Sequence, residues 1–144
     1  MKRSVIVANI SWNPRHWQEP YTDSRAGHSY ARKHPGHESV NFHFNKSGID
    51  SKTHIYGFSQ WLYYPRQFSN GGYVVFYTRN LDINKSQIVG VYGDVEILNP
   101  PQQFHYEKFE NDTLQCNMKA AKAVSLLFPS PLDAGKYSIC KYET

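Results

Sequence analysis

Two short stretches concentrate side chains suited to holding a flat ligand. Ser11-Trp12-Asn13-Pro14-Arg15-His16-Trp17 follows one apolar run and Gly57-Phe58-Ser59-Gln60-Trp61-Leu62-Tyr63-Tyr64-Pro65-Arg66 precedes another, and together they hold all three tryptophans of the chain. An indole can cover the face of a planar heterocycle while Asn, Gln, Ser and Arg side chains meet its polar edge. The chemistry this suits is non-covalent recognition of a nucleobase. A core tryptophan rarely sits among Ser, Asn, Pro, Arg and His, all of which prefer water. At least one of Trp12, Trp17 and Trp61 is therefore expected to be accessible, the alternative for each singly being a core role. Asn13 and Asn41 carry the paired donor and acceptor that a base edge requires. Arg15, Arg25, Arg32, Lys33, Lys52 and Arg66 could meet phosphates, the alternative for each being a solvated surface charge.

Other chemistries find less support. His28, His34, His37 and His43 fall in one segment, but only His34-Pro35-Gly36-His37 is tightly spaced, and Pro-Gly forces a turn between its histidines. Zinc sites pair ligands at closer spacing and recruit Cys or carboxylate. Turn-forming and hydrogen-bonding roles suit these histidines better than a metal. His37 and Glu38 could act as a base pair, yet no nucleophile motif, phosphate loop or paired carboxylate accompanies them. The expectation is a binding domain rather than an enzyme, with no cofactor. Cys116 and Cys140 lack CxxC spacing and read as buried thiols.

With 144 residues and a net charge of +4, the chain fits one domain, residues 1–144, and the charge favours a polyanionic partner. The run Val5 to Ile10 is too short for a secretory segment or a membrane span, so a cytoplasmic protein with no membrane partner is expected.

Positioning the two stretches falls to strands. Apolar, β-branched runs at Ser4–Ile10, Tyr73–Thr78 and Gln87–Leu98 predict three, and alternation at Leu114/Cys116/Met118 and Val124/Leu126/Phe128 predicts two more, the second ending at Pro129-Ser130-Pro131. In the longest run Val91, Val95 and Ile97 share a core face, opposite a wet face of Tyr92, Asp94 and Glu96. Gly90 and Gly93 within it suggest a bulge or bend, as in a sheet curling toward a barrel. Tyr137–Tyr142 reads as a final short strand. Ile55–Tyr64 reads as a helix with Ile55, Phe58 and Leu62 on one face, stopped by Pro65; Ser24–Lys33 and Lys119–Lys122 are weaker helical segments. Residues 20–54 form an unusually long connection of the kind that tends to carry function.

In chain order, the strand ending in Asn9-Ile10-Ser11-Trp12-Asn13-Pro14, then Gly36-His37-Glu38-Ser39-Val40-Asn41-Phe42, then Gly71-Gly72-Tyr73-Val74-Val75-Phe76-Tyr77, then Ile88-Val89-Gly90-Val91-Tyr92-Gly93-Asp94-Val95-Glu96-Ile97, resembles the EVE/YTH-like branch of the PUA superfamily. In particular it is similar to the N-terminal DNA-binding domain of archaeal McrB proteins, the specificity subunits of modification-dependent restriction systems. The resemblance covers roughly residues 4 to 130. It implies an α+β fold: a curved, barrel-like mixed β-sheet with a few short helices packed on it. It also implies binding of double-stranded DNA and extrusion of a modified base, N6-methyladenine or a modified cytosine, into an aromatic cage. The positions carried over are Trp12 and Asn13, Asn41 and Phe42, Trp61 and Tyr63, and Asp94, with Trp17 beside them. Ser39-Val40 stands where larger aromatics are expected, which leaves Trp61 to supply the second cage wall. Any AAA+ motor or nuclease would lie elsewhere, and the ending at Thr144 without a closing feature suits a domain cut from a longer protein. The alternatives are a PUA-like RNA-binding or RNA-modification accessory domain and a small nucleotide-processing hydrolase.

Overall fold

The computed structural model describes residues 3–26, 33–60 and 65–136. Its strands are β1 (Val5–Asn9), β2 (His54–Gly57), β3 (Gly72–Asn80), β4 (Lys85–His105) and β5 (Thr113–Asp133). They form one mixed sheet in the order β1-β3-β4-β5-β2. β1 runs parallel to β3, with Val5 opposite Tyr73 and Asn9 opposite Tyr77; the other pairings are antiparallel. The long connection after β1 therefore carries the chain from one edge of the sheet to the other. β1 and β2 remain as edges, so the sheet is open where the sequence suggested closure toward a barrel.

Helix is scarcer than an α+β fold requires. Among the described residues no helix reaches seven residues, and the helical elements there include the 3-10 turns His37–Val40, Glu110–Asp112 and Ala134–Lys136. Ile55–Tyr64 is not a helix over its described part, because His54–Gly57 pairs with Met118–Ala121 of β5 and residues 58–60 continue without helical structure. Pairing with a long strand outweighs the local period. Residues 61–64 and the Tyr137–Tyr142 strand lie outside the described residues, as does most of Ser24–Lys33.

The two strands expected after Thr113 are one. β5 runs without a break through Lys119–Lys122 and through Pro129-Ser130-Pro131. Two prolines are tolerable there because the pairing of β2 with β5 covers only residues 118–121, and proline is acceptable where its missing donor has no ladder partner.

Bulges decide which residues reach the core. Between the pairs Gly72↔Val95 and Val74↔Tyr92, β4 carries one residue more than β3, and Asp94 lies within that excess at φ +52°. A bulge exchanges the faces of everything beyond it. Tyr92, expected on the wet face, is instead fully buried with Val89, Val95 and Ile97. Period two does hold along β3, where Val74 and Phe76 join the main core while Val75 and Tyr77 belong to a smaller cluster on the other side. A third cluster, containing Val40, Tyr106, Phe109, Leu114 and Cys116, lies near the β4–β5 turn. Beside it Lys46 and Asp50 form a buried ion pair at 3.1 Å. Lys46 Nζ also donates to the His43 carbonyl at 2.9 Å, and Asp50 accepts from the Tyr56 amide at 3.1 Å.

Candidate functional site

β1 ends at Asn9, and the Ile10 amide makes the last bond of the ladder, to Tyr77 O at 2.8 Å. The chain then turns across the sheet rim. His16 and Trp17 both adopt positive φ, 61° and 56°, which drives the Trp17 indole back into the core, where it is 1% exposed. Its Nε1 donates to Ser11 O at 3.1 Å. Trp12 stands edge-on to Trp17, with centroids 5.9 Å apart at 82°, and Trp17 meets Phe42 in the same way at 6.0 Å. Trp12 is only half-buried, so it is the indole of the pair that can present surface to a ligand.

Buried amides stitch three segments into one rim. Asn13 donates to Ser39 O at 3.2 Å and to Glu19 O at 3.4 Å, while its Oδ1 accepts from the Arg15 amide at 2.8 Å. Asn41 takes both backbone groups of Phe58, donating to O at 2.8 Å and accepting from N at 2.9 Å. One residue on, Asn117 of β5 does the same for Ser59, whose amide reaches Asn117 Oδ1 at 3.0 Å. The Phe42 amide reaches Trp17 O at 3.2 Å, and Gln18 Nε2 donates to Phe42 O at 2.8 Å. The Tyr92 hydroxyl donates to Asn41 O from below.

The residues gathered here are those the sequence singled out, but their roles differ from the expected ones. Asn13 and Asn41 are 2% and 0% exposed, and a base edge cannot reach amides already committed to backbone. They hold the rim rather than read a ligand. Trp17 and Phe42 back it from within the core. Asn117 was missed, although an asparagine between Cys116 and Met118 in a strand-forming run is a signal, since asparagine is depleted from strands. Trp61 and Tyr63 lie outside the described residues.

Asp94 is not at this rim. It lies near Gly71 and Arg3, beside the start of β1, with the length of that strand between it and Trp12. The basic residues are dispersed as well. Arg66 lines a cleft of about 450 Å³ with Ser4, Val5 and Ile6 at the same far end. Lys52 precedes β2 at the opposite edge of the sheet. Arg25 is bound by Asp23 and Asp82 at 2.8 and 2.9 Å, and those carboxylates hold its charge in place while Arg25 keeps the Asp23 carboxyl below the usual range. Arg15 pairs with Glu19, Lys33 is exposed, and Arg32 lies outside the described residues.

Two polar atoms of the rim are left over. Trp12 Nε1 and Ser59 Oγ are buried and have no hydrogen-bond partner among the described residues. Buried polar groups are nearly always paired, so both atoms are suited to a partner beyond the described residues.

The histidines separate. His28 lies outside the described residues, and His43 offers its carbonyl to Lys46. The His37 ring stacks on Phe109 at 5.5 Å and meets Phe58 edge-on at 5.3 Å. Its Nδ1 accepts from the Gln115 amide at 3.0 Å, which assigns the proton to Nε2. Among the described residues no three His, Cys, Asp or Glu side chains are grouped to hold a metal. Cys116 is buried, and burial pushes its thiol up to about 12, so it is not a nucleophile at neutral pH. No helix among the described residues is long and apolar enough to cross a membrane. Comparison with known protein families, with curated proteins and with solved structures found no match.

Proposed function

We propose that this chain is a modified-base reader. It binds duplex DNA, takes one extruded base, N6-methyladenine or a modified cytosine, against the Trp12 indole, and serves as the specificity domain of a modification-dependent restriction system. The observation that carries this reading is the rim itself. A partly buried indole is fixed from behind by Trp17, and two buried polar atoms of the rim, Trp12 Nε1 and Ser59 Oγ, have no partner among the described residues. Stacking on an aromatic face returns about 1–3 kcal/mol per base, which offsets part of the few kcal/mol needed to unstack it. The resemblance of the strand-exit sequence to EVE/YTH-like domains supports the same reading. Motor and nuclease functions belong to other regions or subunits.

The test is a binding panel of duplexes carrying N6-methyladenine, modified cytosines or no modification, with single-stranded RNA alongside. The parent chain is expected to prefer one modified duplex, and a folded Trp12→Ala, at a partly buried position, to lose most of that preference. Equal binding of all duplexes, tighter binding of RNA, or a folded Trp12→Ala that discriminates like the parent would each overturn the reading.

A further inference from the structure

β1 is an open edge of unusual composition. Ser4 O accepts from the Tyr73 amide and the Ile10 amide donates to Tyr77 O, each at 2.8 Å. In a parallel ladder alternate residues face the neighbouring strand. Ser4, Ile6, Ala8 and Ile10 therefore face β3, while the N–H and C=O groups of Val5, Val7 and Asn9 point outward. Nothing among the described residues pairs with β1 on that side. Exposed edges are normally blunted by lysine, proline, a bulge or shortness. Val5-Ile6-Val7-Ala8-Asn9, five residues against the four of the other edge strand β2, carries no lysine, proline or bulge, and Val5 is 61% exposed.

We propose that two copies of this chain pair antiparallel through β1, so that each nucleobase rim is completed by Arg66 of the other copy. Pairing centred on Val7 sets Val5 opposite Asn9 and Val7 opposite its own counterpart, each pair exchanging two backbone bonds. The charges select this arrangement. Arg66 lines the cleft beside Ser4 to Ile6 at the start of β1, and Arg3 lies at the same end next to Asp94, so that end keeps a net positive charge. Parallel pairing would bring the two positive ends together, whereas antiparallel pairing separates them by the strand length at about 3.4 Å per residue. It also lays each positive end beside the other copy's strand exit, which leads into Trp12. Arg66 and Asp94, remote from Trp12 within one chain, become its neighbours across the dimer. The pairing stands by itself; the composite site rests on the modified-base reading.

Sedimentation of the chain without DNA tests the pairing. A concentration-dependent dimer is expected. Val7→Pro removes one outward N–H at a position where an edge strand tolerates proline, and Val5→Lys, at an exposed side chain, adds a charge to the joint without burdening the fold. Either folded variant should be monomeric. A parent that stays monomeric throughout, or a dimer untouched by both variants, overturns the proposal. Complementation tests the composite site with a duplex carrying N6-methyladenine. Trp12→Ala and Arg66→Ala should each bind weakly alone, whereas mixed dimers regain one intact site and about half the parent's capacity. Dimers that mix without recovery overturn the shared site. A dimeric parent that binds no modified duplex leaves the pairing standing and overturns the reading on which the shared site rests.

Discussion

At the scale of single residues, the rim is held by asparagines whose side chains imitate a neighbouring strand. Asn41, itself fully buried, satisfies both the N–H and the C=O of the partly buried Phe58. Asn41→Ala strands those two groups, and at about 1–3 kcal/mol for each unsatisfied group the expected loss is roughly 2–6 kcal/mol, toward the lower end because Phe58 is only partly buried. Arg15→Ala removes an exposed pair with Glu19 and a contact over the Tyr21 ring 5.9 Å away, and should cost about 1 kcal/mol or less. Urea unfolding of the two variants checks the contrast; equal losses would mean the amide clamp holds nothing. His37 and His43 give the fold a pH dependence of definite sign. Burial holds the His37 pKa below its ordinary value. His43 is lowered first by burial and then by the charges of Lys46 and Lys108. The unfolded chain therefore binds protons that the native chain resists as pH drops below the ordinary histidine value of 6.5. Stability should be fully present above that value and be lost as pH falls through the lowered folded values. The urea midpoint should accordingly drop on acidification, and less so in His37→Gln. A midpoint that rises toward acid would contradict this placement of both rings.

At the scale of elements, β4 is governed by its bulges more than by its hydrophobic alternation. Asp94 sits at φ +52° in a strand, a conformation that glycine adopts freely and β-branched residues resist. Asp94→Gly should leave stability unchanged or slightly raised, while Asp94→Val should cost about 1–3 kcal/mol. Thermal melts of the pair would show it. If valine is tolerated as well as glycine, the bulge is not where β4 turns its faces, and the burial of Tyr92 needs another cause. A matching irregularity in β5 supports the same bend. Ser125 Oγ accepts from the Gly93 amide at 3.2 Å and donates to Ala121 O at 2.7 Å. One hydroxyl thus satisfies backbone groups that the interrupted ladder leaves aside.

At the scale of the whole molecule, a net charge of +4 is spread over the surface rather than drawn into one stripe. Arg25 is already neutralised by two carboxylates. On the proposed reading, phosphate contact would fall to other cations, among them Lys52, Arg66 and Lys33. With about four such contacts to duplex DNA, the logarithm of affinity should fall against the logarithm of salt with a slope of roughly −3 to −4. Titrations at several salt concentrations measure it, and Arg25→Ala should leave the slope unchanged. A flat profile would remove DNA phosphates from the list of partners.

The sequence by itself determined the β-rich character and the three stretches that meet at the rim. Those properties live in local composition: β-branched runs at Ser4–Ile10 and Tyr73–Thr78, and tryptophan and asparagine set among turn-forming residues. The merging of two expected strands into β5 and the conversion of His54–Gly57 into strand could come only from the folded chain, because a long-range ladder outweighs a local period. Tertiary structure likewise decided the roles of Asn13 and Asn41. An amide at the surface and an amide spent on distant backbone are identical in sequence, and only the arrival of Ser39 and Phe58 beside them takes their hydrogen bonds. It also set Asp94 and Arg66 apart from Trp12, since the parallel pairing of β1 with β3 fixes which end of the strand each one occupies.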